Sequence, residues 1–263
     1  MESISDILER IVRHKRAILP LKKGLMPAAV LERYPYFDRK CIPLSDPLRD
    51  GEKTGIIAEF KRKSPSKGVI NAEADPVGVA MAYEAHGASA VSVLTDDHFF
   101  GGSSEDLMSV REAVALPLLR KDFIIDEYQV LEAKAWGADL ILLIAACLTP
   151  GEVRGLASFA RSLGMQVLLE LHDEEELGHV CEETEMVGIN NRSLRTFEVD
   201  VERSMRMAAR LPADRVRVAE SGIHSVQQVH GFRVNGFHGF LMGEQFMKSK
   251  DPGAAFRDFV STL

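Results

Sequence analysis

The sequence predicts an α/β fold, a single closed parallel (β/α)8 barrel with an extra N-terminal helical segment, and three observations carry that expectation. Short apolar runs alternate with longer helix-patterned segments along the whole chain. About eight such units fit a length close to the ~250 residues that a barrel of this kind takes. No Gly-x-Gly-x-x-Gly fingerprint follows the first apolar run, which disfavours the alternative, an open doubly wound sheet that periodicity alone does not separate from a closed one.

Each element has its own justification. Ile4, Ile7, Leu8, Ile11 and Val12, interleaved with Asp6, Glu9, Arg10 and Arg13, are at helical spacing and too charged for a secretory segment, so a helix is expected over 4–19, ended by Pro20 and Gly24. A stretch with Pro35, Pro43 and Pro47 among Tyr34, Tyr36 and Phe37 then leads to the first strand, so 1–50 read as an extension covering one barrel domain that spans 1–263. Strands are expected at 56–60, 90–95, 117–123, 140–146, 166–171, 186–191, 215–221 and 239–243. Helix starts between them are marked by Asp75-Pro76, Ser103 or Ser104, Asp126, Thr149-Pro150, Asp173, Asp200, Ser225 and Asp251, all side chains that bond free N–H groups of a first turn. Gly87, Gly137 and Gly164 punctuate helix ends.

Composition narrows the function. With 46% hydrophobic residues the chain can bury a large core, and a formal net charge of -7 argues against a nucleic-acid surface. Local Lys and Arg clusters therefore read as sites for a small anion. Cys41, Cys147 and Cys181 are far apart with no Cys-x-x-Cys, which points away from a disulfide framework or zinc site and fits a cytoplasmic setting. The longest apolar run, 140–148, is too short for the ~20 residues of a membrane span. No metal-ligand cluster and no cofactor motif is present in the sequence, so no cofactor is expected.

In a parallel barrel the chemistry sits at the C-terminal strand ends. Those ends carry Glu59 and Lys61, Lys121 and Asp122, Glu170, then Asn190, Asn191 and Arg192, then Glu220, Ser221 and Gly222, then Gly243 and Glu244. So many charges of both signs on one rim would be costly to desolvate without a ligand, so they mark a site wall. Ser221-Gly222-Ile223 and Met242-Gly243-Glu244 place flexible backbone where amides can converge on a phosphate.

Five segments carry a family likeness: Ile-Ile-Ala-Glu-Phe-Lys-Arg-Lys-Ser-Pro-Ser at 56–66, Ser-Val-Leu-Thr-Asp-Asp-His-Phe-Phe-Gly-Gly-Ser at 92–103, Leu-Leu-Arg-Lys-Asp-Phe-Ile at 118–124, Val-Gly-Ile-Asn-Asn-Arg-Ser-Leu at 187–194 and Val-Ala-Glu-Ser-Gly-Ile at 218–223. In order and over essentially the whole chain, they resemble indole-3-glycerol-phosphate synthase. The resemblance implies a TIM barrel that closes the ring of 1-(2-carboxyphenylamino)-1-deoxyribulose 5-phosphate, with loss of carbon dioxide and water, in tryptophan biosynthesis. It implies Lys121 as general acid toward the substrate ketone; a lysine can donate near neutral pH if burial and neighbouring positive charge lower its pKa, and Lys61 is a candidate neighbour. Glu170 would stabilise the cationic intermediate and move a proton, Lys61 would hold the substrate carboxylate, and Glu59 would accept a proton in dehydration. Asn190 would orient Glu170 or bond a substrate hydroxyl, and Arg192 would add charge at the rim. Pro65, Phe100, Phe123 and Leu194 would form the slot for the aromatic ring, with Ser64 fixing the first loop. Ser221, Gly222, Gly243 and Glu244 would cradle phosphate, Glu244 through its backbone alone if its side chain points away.

Two other enzyme readings share this fold: a Schiff-base aldolase using Lys121, and a phosphate-binding isomerase, which would lack the paired lysines. A catalytically silent binding barrel would have lost Lys61, Lys121 or Glu170, and all three are present. The expected partner is a small phosphorylated molecule, and the expected state a monomer or weak homo-oligomer. The loop 62–71, with Gly68 as hinge, is long and charged enough to close over substrate.

Overall fold

A computed structural model describes residues 4–51, 53–192 and 198–263, residues 4–6 as backbone alone. Eight parallel strands form the closed barrel: β1 (Ile56–Phe60), β2 (Ala90–Leu94), β3 (Leu118–Lys121), β4 (Leu140–Ile144), β5 (Gln166–Leu171), β6 (Met186–Asn190), β7 (Val216–Glu220) and β8 (Gly239–Met242). Each strand pairs with its neighbours in sequence, and β1 closes the ring against β8 through Ile56↔Phe240 and Ala58↔Met242.

Successive side chains along a strand face opposite ways, so every strand supplies two cores. Ile57, Leu119, Leu142, Leu168, Met186 and Val218 point into the barrel, and Leu44 and Leu48 from the preceding segment join that inner cluster. Ile56, Val91, Leu118, Ile141, Val167 and Val187 point outward into the larger core under the helices. Two residues beyond Ile57, Leu119, Leu168 and Val218 the same inward-facing rows become polar at Glu59, Lys121, Glu170 and Glu220, and on β6 at Asn190, four beyond Met186. Register sets them side by side, with Asn190 opposite Glu220 and Ile144 opposite Glu170. Gly188, the inward position of β6 between Met186 and Asn190, makes room for a carboxylate: a Cβ there would lie 2.0 Å from Glu220 Oε1.

The caps expected at Asp75, Ser103, Asp126, Thr149, Asp200, Ser225 and Asp251 all bond first-turn amides, Thr149 and Ser225 as full capping boxes. Two expectations fail. The first helix does not stop at Pro20 but runs Ile4–Leu25 with Pro20 inside it. Contacts from the barrel hold the turns after the proline: Lys22 Nζ is 2.9 Å from Glu132, Lys23 Nζ is 2.8 Å from Asp126, and the Tyr128 hydroxyl donates to the Lys22 and Met26 carbonyls. Tertiary bonding thus offsets the one helix bond that proline removes. Asp173 opens a 3-10 segment, Glu174–His179, instead of an α-helix. The Glu176 side chain there turns back to accept the His172 N–H at 2.6 Å, which holds the run in a tight turn. Strand ends also shorten; β3 stops at Lys121 where Asp122 accepts the Phe123 N–H at 2.8 Å, and β7 stops where Ser221 adopts a left-handed φ of 64°.

Gly188→Ala is expected to cost about 1–3 kcal/mol through overpacking against a buried carboxylate. Denaturant unfolding checks this, with activity falling alongside as Glu220 is displaced.

Candidate active site

The inward polar rows open onto one cavity of about 260 Å³ at the C-terminal ends of the strands. Lys121, Glu170, Lys61, Glu59 and Asn190 all line it, as do Ser64, Pro65, Phe100, Phe123 and Arg192. So do Ser221, Gly222, Gly243 and Glu244. Leu194 lies outside the described residues.

At the centre stands Lys121. Its Nζ is 2.9 Å from Glu170 Oε2 and 3.3 Å from Glu220 Oε2. Glu170 Oε1 accepts from Asn190 Nδ2 at 2.9 Å and lies 2.9 Å from His172 Nε2, so both of its oxygens are engaged. Burial acts against the Lys121 ammonium, but Glu170, then Glu220 and Glu59, outweigh it and raise its pKa above the ordinary lysine value. The expected lowering by Lys61 is therefore wrong. Lys61 Nζ is 2.7 Å from Glu59 Oε1, so its charge is spent on a carboxylate of its own strand end.

The two carboxyls on Lys121 divide the remaining proton. Burial favours the neutral form of both; at Glu170 the charge of Lys121 and the hydrogen bonds from His172 and Asn190 reverse this and hold the pKa well below the ordinary carboxylate range. At Glu220 burial dominates, Lys121 offsets part of it, and repulsion from Glu170 and Glu59 adds to it, so its pKa is pushed up to about 8. Among the described residues Glu220 Oε1, beside Gly188, has no hydrogen-bond partner. One ammonium thus faces one anionic and one neutral carboxyl near pH 7.

Neighbouring residues tie this centre to its cover. Asp122, next to Lys121 but facing outward, lies 2.7 Å from Lys15 Nζ on the first helix and 3.0 Å from Arg120. Burial would raise the Asp122 carboxyl, yet Lys15 and Arg120 hold it well below the usual range. Lys15 Nζ is also 2.8 Å from Asp96, whose side chain caps the short helix Asp97–Phe100 by accepting from the Phe99 and Phe100 amides. A single ammonium therefore fixes the entry to Phe100 and the exit of β3. Phe100 and Phe123 lie 5.9 Å apart between ring centroids, and Ile7, Leu8 and Ile11 of the first helix line the same cavity, which completes an apolar wall.

The loop after β1 forms a two-stranded ribbon, Lys63–Ser64 against Gly68–Val69. Lys63 Nζ donates to the His98 carbonyl at 2.9 Å, Arg62 pairs with Asp106, and Lys67 Nζ lies 3.7 Å from Glu244. The Glu244 side chain thus turns to the ribbon. Ser221 and Gly222 both have positive φ, at 64° and 69°, and a Cβ on Gly222 would lie 2.6 Å from Val199. A Cβ on Gly243 would lie 2.7 Å from that of Glu59, so that glycine sets how closely β8 approaches the acid of β1.

Residues 8–259 match the family described as Indole-3-glycerol phosphate synthase. The chain belongs to that family. An indole-3-glycerol phosphate synthase of Bacteroides thetaiotaomicron is 46% identical over 263 residues, 99% of this chain and 100% of that one. One of Dechloromonas aromatica is 44% identical over 255 residues, 95% and 97% of the two chains. Among solved structures, the tryptophan synthase subunit alpha of Legionella pneumophila superposes with a TM-score of 0.61 at 14% identity, over 83% of this chain and 94% of that one, a likeness of fold alone. As a member of the indole-3-glycerol phosphate synthase family the chain is a decarboxylating lyase of tryptophan biosynthesis.

Sequence reasoning placed Glu220 on the rim but gave it no role, and passed over His172 and the apolar residues Ile7, Leu8 and Ile11. The alternation Val216, Val218, Glu220 contains the signal for the first, since it continues an inward apolar row. The same alternation, Leu168, Glu170, His172, carries an inward row one step past the strand end to His172, which reaches Glu170 there.

Because the Glu220 pKa of about 8 exceeds the ordinary 4.5, the folded state holds a proton that the unfolded chain releases, and stability falls as pH rises from about 4.5 through 8. Glu220→Gln removes that titration. Its melting temperature is expected to drop less than that of the parent protein between pH 5 and pH 8.5, as read by thermal unfolding across buffers.

Proposed function

We propose that this cavity closes an indole ring, converting 1-(2-carboxyphenylamino)-1-deoxyribulose 5-phosphate to indole-3-glycerol phosphate with release of carbon dioxide and water. One observation carries the reading: a lysine clamped between two carboxyls of different protonation faces an apolar slot, at the strand ends of a barrel whose last two loops can take a phosphate.

The substrate's demands match what is present. The apolar wall of Phe100, Phe123, Pro65 and the first helix suits the anthranilate ring. Lys61, with Arg192 elsewhere on the wall of the same cavity, suits the ring carboxylate. The backbone at 221–223 and 243–244 suits the phosphate, with the Glu244 side chain drawn off toward Lys67. In the first step the ring carbon bearing the carboxylate attacks the ketone, and Lys121 protonates the oxygen that becomes hydroxyl. The carboxylates around Lys121 guarantee the ammonium form at neutral pH, and charge developing on the ketone oxygen supplies the drive for its release. Glu170, held anionic by Asn190 and His172, stabilises the cationic intermediate until carbon dioxide leaves and its electron pair restores the ring. Loss of the hydroxyl as water then needs an acid and a proton acceptor, and the Lys61–Glu59 pair 2.7 Å apart offers both. Ser64, in the ribbon, helps to fix the loop after β1. The first 50 residues serve as the cover of a one-domain barrel. Free thiols at Cys41, Cys147 and Cys181 fit a reducing cytoplasm, where the enzyme would act as a monomer or weak homo-oligomer.

The test is appearance of the indole ultraviolet signal from the carboxyphenylamino substrate. Lys121→Ala is expected to fold, by circular dichroism, and to lose at least ~100-fold in turnover, the scale for a lost general acid. Near-normal turnover would move the acid role to Lys61. If the ribbon closes over substrate, proteolysis between Lys63 and Val69 should slow when a phosphorylated substrate analogue is bound; unchanged cleavage would count against closure.

A further inference from the structure

Ring closure with decarboxylation has a proton requirement that the central lysine does not meet alone. Starting from the carboxylate form, the balance is substrate plus one proton giving indole product, carbon dioxide and water, because the electron pair of the broken carbon–carbon bond stays on the ring while a hydroxyl leaves as water. One proton must therefore enter from solvent on every turnover. Glu170 is buried, 4% exposed, and lies 2.9 Å from Lys121 Nζ on the wall of the cavity.

On its side away from Lys121 the structure has a second titratable chain. Glu170 Oε1 lies 2.9 Å from His172 Nε2. His172 is itself 4% exposed, and among the described residues its Nδ1 is buried without a hydrogen-bond partner. That Nδ1 lies 4.0 Å from Glu176 Oε2, and the Glu176 side chain, 15% exposed, reaches solvent. Glu176 is held in place because Oε2 accepts the His172 N–H at 2.6 Å and its carbonyl lies 3.0 Å from His179 Nδ1, whose other nitrogen contacts the Leu148 carbonyl. We infer that Glu176 and His172 form the line by which a solvent proton reaches Glu170, an inference that rests on the ring-closure reading above.

The transfer balances atom for atom. The line starts with Nε2–H directed at Glu170 and no proton on Nδ1: a proton taken from solvent by Glu176 passes to Nδ1 as the Nε2 proton passes to Glu170. Glu176 returns to carboxylate, Glu170 becomes the neutral acid that can reload Lys121, and return of the ring to its Nε2–H tautomer resets the line. Closing 4.0 Å to a hydrogen bond of roughly 2.8 Å asks for a shift of about 1.2 Å at the partly exposed Glu176 carboxyl. Other groups packed on the line do not divert the proton. Lys121 of β3 and Asn190 of β6 bond Glu170 as donors. Cys147, from the turn after β4, lies near both carboxylates, but burial and then the charges of Glu170 and Glu176 push its thiol up to about 12, so it stays protonated. A relay and a mere orienting bond make different demands. Orientation needs one N–H on Glu170, whereas relay needs a ring with two nitrogens.

Steady-state formation of the indole signal separates them, because Lys121 enters a first turnover already as the ammonium ion and must be reloaded before the next. His172→Gln keeps a donor for Glu170 but cannot pass a proton, and His172→Ala leaves a space the size of imidazole. Both are expected to fall about tenfold in kcat with KM within about twofold of the parent, and added imidazole is expected to restore His172→Ala but not His172→Gln. Glu176→Gln, which leaves the buried ring in place should the histidine variants not fold, is expected to fall to a similar degree, with the double variant no slower than either alone. A His172→Gln rate equal to the parent's, a His172→Ala rate that imidazole leaves unchanged, or a Glu176→Gln rate equal to the parent's overturns the relay. An inactive parent protein would instead overturn the ring-closure reading, so the two failures are distinguishable.

Discussion

The two-residue period of a strand, imposed on a ring of eight parallel strands, is the constraint on which the rest of this molecule depends. Each strand must turn every second side chain into the barrel, and closure brings those side chains together at matching heights. Lower in the barrel that means Ile57, Leu119, Leu168 and Val218 fill the interior. At the upper end it means that Glu59, Lys121, Glu170, Asn190 and Glu220 are brought together on the wall of one cavity. Their charges are opposed and hydrogen-bonded for that reason: an unpaired ammonium or carboxylate at such depth would cost several kcal/mol. Gly188 is the complementary concession, an inward position left empty so that the Glu220 carboxyl has somewhere to be.

The outward half of the same alternation secures the cover. Lys121 faces the site while its neighbours Arg120 and Asp122 face the helices. From them a buried chain of charges runs through Lys15 to Asp96 and through Glu132 to Lys22. The Arg120 guanidinium also lies 4.3 Å over the Trp136 ring. Such buried pairs add little net stability compared with apolar packing, but their geometry is exacting and fixes which face of the first helix meets the barrel. That face is the one carrying Ile7, Leu8 and Ile11. A network on the outer side of β3 thus shapes a wall of the cavity on its inner side.

The charge distribution inside the cavity suits acid–base chemistry because its carboxyls are not equivalent. Glu170 collects an ammonium, an amide and an imidazole and stays anionic, while Glu220 has the same ammonium at longer range and keeps its proton. Two groups of one chemical type are thereby set to opposite roles by their surroundings. The ribbon after β1 differs in kind. Its contacts with the rest of the protein are polar and partly exposed, through Lys63, Lys67 and Arg62, which suits a segment that moves more readily than the barrel beneath it.

Much of this was legible in the sequence, since periodicity and capping are local. Ile56–Phe60 and Gln166–Leu171 stand where their apolar runs place them, and Asp75, Asp126 and Thr149 cap the helices they precede. The residue types at the strand ends also identified the wall of the cavity. What sequence could not supply was anything set by atoms distant along the chain. Pro20 reads as a stop until Glu132, Asp126 and Tyr128 hold the turns beyond it. Lys61 reads as a neighbour of Lys121 until Glu59 claims it. His172 reads as a loop residue until the fold turns its ring onto Glu170. Backbone preference acts over a few residues and is written in order along the polypeptide, whereas ion pairing, burial and protonation depend on distances that exist only once the barrel has closed.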